Sequence, residues 1–191
     1  MVDIKIRMRC ELLAISAVLM LMMPARAAEL LSWQGVGPVK LGMTVSDAES
    51  ALGTKLAPRS DVYTSDACYV TRRDDNKNPG ITYVVEEGKI TVINVFVAEG
   101  QTPDVVDKHR VGIGSAEGGI RRGYRQAKKR RGFYDRDPPP EAGDPAYIPE
   151  FWIEAESPDS KRAILFITQG GKVTSITTGF KPMVLSPEHC L

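Results

Sequence analysis

Val39-Lys40-Leu41-Gly42 and Val111-Gly112-Ile113-Gly114 share one pattern at an offset of 72, and each string stands just ahead of a stretch with helical spacing. In the first, Thr44 and Asp47 form a capping box, Asp47 standing in for the commoner Glu. Val45, Ala48 and Leu52 fall on one face of the predicted helix, and Leu52-Gly53 closes it. The same offset carries Ala48 onto Ile120 and Leu52 onto Tyr124. It then widens to 83, so that Cys68-Tyr69-Val70 meets Phe151-Trp152-Ile153 and Gly88-Lys89-Ile90-Thr91 meets Gly171-Lys172-Val173-Thr174. The tract Asp137-Pro138-Pro139-Pro140-Glu141 lies where the second copy must accommodate the extra residues. Matched order over so many apolar positions favours an internal duplication.

Each unit reads as a strand, a helix and three further strands. Residues 68–72 are a predicted strand, Asn78-Pro79-Gly80 a turn, and residues 81–86 and 89–97 a hairpin about Glu87-Gly88, with Gly170-Gly171 in the same role later. A short helix is also expected near residues 56–63. The second motif helix is expected to run over residues 120–131, weakened by Gly118 and Gly119 in its first turns. The expected fold class is therefore α+β, with two tandem α-β-hairpin repeats forming one antiparallel sheet and helices packed on one face. The predicted boundaries are residues 28–100 for the first repeat, 101–110 for a connector, 111–181 for the second repeat with its insertion near 132–149, and 182–191 for a tail.

The first 27 residues read as a signal peptide. Lys5, Arg7 and Arg9 precede an apolar run over residues 12–23, and Pro24-Ala25-Arg26-Ala27 offers small residues for cleavage after Ala27. The run is too short for a membrane span, which needs roughly 18 or more apolar residues. Removing the segment takes four basic and two acidic residues from totals of 25 and 24, leaving 21 and 22. That near-neutral balance, together with export to the periplasm, argues against a general nucleic-acid binder. Cys10 precedes the apolar run, so no lipidation cysteine is expected. Cys68 and Cys190 remain as a pair in an oxidising compartment and are expected to bond, tying the tail to the first half.

Gly42-Met43-Thr44, followed by Ala48 and Leu52-Gly53, resembles the helix-opening motif of the SmpA/OmlA (BamE-like) family of bacterial envelope proteins. Tandem helix-plus-hairpin units are also similar to the β-lactamase inhibitor protein fold, in which paired repeats build a concave antiparallel sheet with helices behind it. The resemblance implies a periplasmic, non-enzymatic binding or scaffold module.

No catalytic, cofactor or metal constellation stands out. Asp74-Asp75-Asn76-Lys77-Asn78-Pro79-Gly80 has oxygen side chains at alternate positions, but Pro79 holds the place of the required Gly and Val85 that of the closing Glu. Gly112-Ile113-Gly114-Ser115-Ala116-Glu117-Gly118 has the wrong glycine spacing for a nucleotide loop. His109 and His189 lack metal-site spacing, and His189 reads as an exposed neighbour of the disulfide. No nucleophile elbow occurs, so the chain is read as non-enzymatic.

The most distinctive surface feature is the basic run Arg121, Arg122, Arg125, Lys128, Lys129, Arg130 and Arg131, with Phe133, Tyr147, Phe151 and Trp152 nearby as aromatic anchors. A solvated helix face, partly neutralised by Asp135, Asp137, Glu141 and Asp144, is the bland explanation. The functional one is contact with another envelope or periplasmic protein, or with anionic lipid or glycan.

Overall fold

The computed structural model describes residues 27–59, 65–74, 78–135 and 147–190. The predicted signal segment up to residue 26, part of the helix expected near 56–63, and the triple-proline tract lie outside the described residues. Among the described residues eleven strands form two sheets, accompanied by two α-helices. Strands β1 (Glu29–Ser32), β2 (Gly35–Val36), β3 (Val39–Lys40) and β7 (Val105–Asp107) make a small mixed sheet in the order β3-β2-β1-β7, with β1 and β7 parallel. Strands β4 (Cys68–Arg72), β5 (Ile81–Glu86), β6 (Lys89–Phe96), β8 (Lys128–Arg131), β9 (Glu150–Glu156), β10 (Arg162–Gln169) and β11 (Lys172–Phe180) make a seven-stranded antiparallel sheet in the order β4-β5-β6-β11-β10-β9-β8.

The expected layer of helices on one sheet face is corrected by this architecture. Helices α1 (Val45–Leu52) and α2 (Glu117–Gly123) are eight and seven residues long and bury fully only Ala48 and Ile120. Most of the layer over the large sheet comes from the small one. Leu31, Val36, Val39 and Val105, with Val111, pack in one core against Ile81, Tyr83, Ile93, Ile153, Phe166 and Ile176. The segment read as a connector contributes β7, whose buried Asp107 accepts hydrogen bonds from the backbone of His109 and Val111 and from the Tyr124 hydroxyl. Strands of two to four residues carry too little periodicity to stand out in a sequence, so β1, β2 and β7 leave no mark there.

The motif strings dock as their chemistry requires. Thr44 Oγ1 accepts from the Asp47 amide at 3.1 Å while Asp47 reaches back to the Thr44 amide at 3.3 Å, and Gly53 closes α1 in the left-handed region. Gly42 and Gly114 have φ of 85° and 82°. Open space surrounds both, so it is the backbone angle that calls for glycine there. The Gly42 amide donates to Ile90 and the Ile90 amide to Met43; likewise Gly114 donates to Val173 and Val173 to Ser115.

Apolar residues on both faces of the large sheet are explained by its second cover. Residues 182–190 cross the face away from the helices as a strap. Its 3-10 turn Met183–Leu185 seats Val184 and Leu185 against Trp152, Ala163 and Leu165. The strap ends at the Cys68–Cys190 disulfide, which closes a sequence separation of 122. Such a closure is worth about 4–5 kcal/mol in the chain-entropy model.

The small sheet is pinned to the large one by a buried charge pair. Arg73, 3% exposed, meets both Glu29 carboxylate oxygens, with Nη2 2.7 Å from Oε2, and its Nε donates to the Tyr83 hydroxyl. Asn78 adds a third hydrogen bond to Glu29. Because Glu29→Ala leaves a buried guanidinium without its counter-charge, it is expected to cost roughly 3–5 kcal/mol in urea unfolding. The double change Glu29→Leu with Arg73→Met should cost less than the single one; a single variant of unchanged stability would contradict this assignment.

Candidate functional site

The basic residues do not share one helix, which corrects the expected helix over residues 120–131. Gly118, Gly119 and Gly123 weaken α2, and a Cβ at Gly123 would stand 2.7 Å from the His109 ring. Tyr124 then turns inward. Its hydroxyl donates to Asp107 at 2.7 Å, and its ring packs against Trp33, His109 and Phe166. Burial, helped by the Asp107 carboxylate, pushes the Tyr124 phenol well above its ordinary range. With that side chain fixed, the chain leaves the helix and Lys128–Arg131 pairs with β9, from Lys128 opposite Glu154 to Arg131 opposite Phe151.

The seven cations thus form a corner: Arg121 and Arg122 on α2, Arg125 in the following turn, and Lys128 to Arg131 along an edge strand. All seven are exposed. Lys129 reaches Glu117 at 2.7 Å, while Lys128 and Arg131 stand 3.6 Å from Glu156 and Asp135. Among the described residues no carboxylate lies within 4.0 Å of Arg121, Arg122, Arg125 or Arg130. Burial works against ionisation of Glu117, but hydrogen bonds from Lys129 and Thr168 outweigh it and hold the carboxyl below its usual range. Glu156 is held low in the same way, mainly by Lys181 at 2.9 Å.

Aromatic rings lie beneath the charges. Lys129 Nζ sits 3.8 Å from the Phe151 ring centroid, and the Arg131 guanidinium 5.0 Å from the same ring. Arg130 lies 5.1 Å over Trp152. Phe133, 63% exposed, stacks on the outer side of Trp152, and Tyr134 beside it bonds Glu188. Of the residues expected as anchors, Trp152 is core, Phe151 and Tyr147 are half-buried and Phe133 is at the surface.

A groove of about 680 Å³ opens between α2, the turn and the end of β9, lined by Arg122, Tyr124, Arg125, Lys128, Glu156 and Trp33. Trp33 is held there by a 2.9 Å hydrogen bond from its indole to the Ala155 carbonyl. Trp33 carried no signal in the sequence beyond being aromatic, and Tyr124 was marked only as the counterpart of Leu52 on a buried helix face. A second cavity of about 360 Å³ lies under the strap, among Phe96, Trp152, Ile167, Val184, Tyr134 and His189.

His189 is not the exposed neighbour of the disulfide that its position suggested. It is half-buried, with Nδ1 shielded and without a hydrogen-bond partner. His109, in turn, packs its ring edge-on against Tyr124 at 5.0 Å. Among the described residues no group of three or more His, Cys, Asp or Glu could hold a metal ion, and no helix is long and apolar enough to cross a membrane. Comparison with protein-family models, with curated proteins and with solved structures finds no match to this chain.

Burial lowers the His189 pKa from its ordinary 6.5, against a smaller opposing pull from Glu86. Protonation therefore favours the strap off the sheet. The stabilisation is fully present above the ordinary value and is lost as pH falls through the lowered one. Thermal unfolding followed from pH 7 downward should show a drop that His189→Asn flattens; superimposable profiles for the two proteins would contradict it.

Proposed function

We propose that the chain is an exported, periplasmic and non-enzymatic binding module that holds an acidic envelope or periplasmic protein against its basic corner. The observation that carries this reading is the gathering of seven exposed cations at one end of the large sheet, four of them with no carboxylate within 4.0 Å among the described residues. Exposed charge on a rigid frame steers and selects an oppositely charged partner. The adjoining Phe133 and Tyr134 offer aromatic surface of the kind that anchors protein interfaces.

Export is supported by the basic and apolar segments ahead of Ala27 and by the Cys68–Cys190 bond, since disulfides persist in oxidising compartments. The Gly42-Met43-Thr44 string supports a relation to SmpA/OmlA-like envelope proteins. The paired docking of Gly42 on Ile90 and of Gly114 on Val173 supports an internal duplication. A surface-lying basic helix, the form in which anionic lipid binding was expected, has lost its footing, because α2 ends at Gly123.

The test is capture from envelope extract by the immobilised mature protein and by its variant Lys128→Glu with Arg130→Glu, across a salt series. One dominant acidic protein should be retained by the wild type, released as ionic strength rises, and lost to the variant. Equal capture by both proteins, or salt-sensitive binding to anionic vesicles with no protein retained, would overturn the reading.

A further inference from the structure

We infer that β8 takes up an acidic, extended segment of the partner as an additional strand of the large sheet. This rests on the proposed binding role of the basic corner and names how the partner is held.

β8 ends the strand order, and among the described residues it pairs only with β9. The Gly132 amide donates to the Glu150 carbonyl at 3.0 Å, so Gly132 faces β9. Residues of an antiparallel ladder alternate between facing the partner strand and facing away. Arg130 and Lys128 therefore turn their backbone groups toward β9, and Lys129 and Arg131 turn theirs outward. Those two N–H and two C=O groups are a short template for another strand.

Charge is divided unevenly between the two faces of β8. Lys129 and Arg131 lie on the helix side with Ile153 and Phe151, where Glu117 and Asp135 already attend them. Lys128 and Arg130 lie on the opposite face. The Lys128 side chain is 73% exposed, and its neighbour Glu156 is already bonded to Lys181. Arg130 has the Trp152 ring and no carboxylate within 4.0 Å among the described residues. Within β8 the less well matched charge is therefore on this face only. A complementary strand has carboxylates at alternate positions, opposite Lys128 and Arg130, and uncharged β-branched residues between them. Cross-strand pairs of opposite charge stabilise such an arrangement, and like charges oppose it. A second copy of β8 is excluded as the occupant on the same ground, since it would set lysine and arginine against lysine and arginine.

The test uses synthetic peptides and fluorescence anisotropy with the intact mature protein. One peptide alternates glutamate and threonine; a second has the same composition with its glutamates in one block. Two further peptides carry backbone N-methyl groups on the alternating sequence, one at the glutamates and one at the threonines. The alternating peptide should bind more tightly than the blocked one. One of the two N-methylated peptides should lose about tenfold in affinity, because it gives up its hydrogen bonds to the edge, while the other binds as before. Amide exchange at Lys129 and Arg131 should slow on binding, with Lys128 and Arg130 unchanged. Arg130→Glu, at an exposed position and checked by its melting temperature, should abolish binding.

Equal binding by alternating and blocked peptides, with no effect of N-methylation and no protection of Lys129 or Arg131, would overturn strand addition while leaving a purely electrostatic corner intact. Failure of every peptide would also overturn it, and the binding role itself would then rest on the charge-reversal capture alone.

Discussion

The central seam of the large sheet, where β6 runs antiparallel to β11 from Val92 opposite Gly179 to Phe96 opposite Ser175, carries the whole arrangement. It joins β4, β5 and β6 to β10, β9 and β8, so neither half of the sheet is left with an open inner edge. Close packing over the seam explains Gly179: a Cβ there would stand 2.9 Å from the Thr91 carbonyl oxygen and 3.2 Å from Val184. The strap can press onto the sheet at that point only because the side chain is missing. The two hairpins also present their loops to the two motif strings at equivalent positions, so the seam sets where α1 and α2 sit.

The basic corner inherits its rigidity from this frame. Asp107 on β7 fixes Tyr124, Tyr124 ends α2, and the end of α2 sends the chain into β8 beside β9. Glu117 on α2 then reaches both Thr168 on β10 and Lys129 on β8, tying helix, sheet and edge together. Charges held in this way lose little freedom when a partner arrives, which favours binding over the same charges on a loose tail.

Much of the frame was legible in the sequence, and for identifiable reasons. Thr44 with Asp47, Gly53 and the Glu87-Gly88 and Gly170-Gly171 turns rest on local chemistry that needs no tertiary context, while the Cys68–Cys190 bond, 122 residues apart, followed from there being one pair of cysteines left in an oxidising compartment. The α+β reading failed because it extended that chemistry too far. Two-turn helices cannot cover a seven-stranded sheet, and the strands that do cover it, Glu29–Ser32, Gly35–Val36 and Val105–Asp107, are too short to show a period. The basic run misled for a different reason. An edge strand exposed on both faces has no apolar alternation, so Lys128–Arg131 looks like any charged stretch until Phe151 and Trp152 are seen beside it.

The proposed binding role requires one end of the sheet, and not the other, to meet a partner. Site-specific photo-crosslinking in intact cells, with probes at Arg125 and Arg130 and at Arg72 on the opposite edge, addresses it most directly. A single protein crosslinked from Arg125 and Arg130 but not from Arg72 is the predicted result. Crosslinks confined to Arg72, or to lipid and glycan at every position, would contradict it.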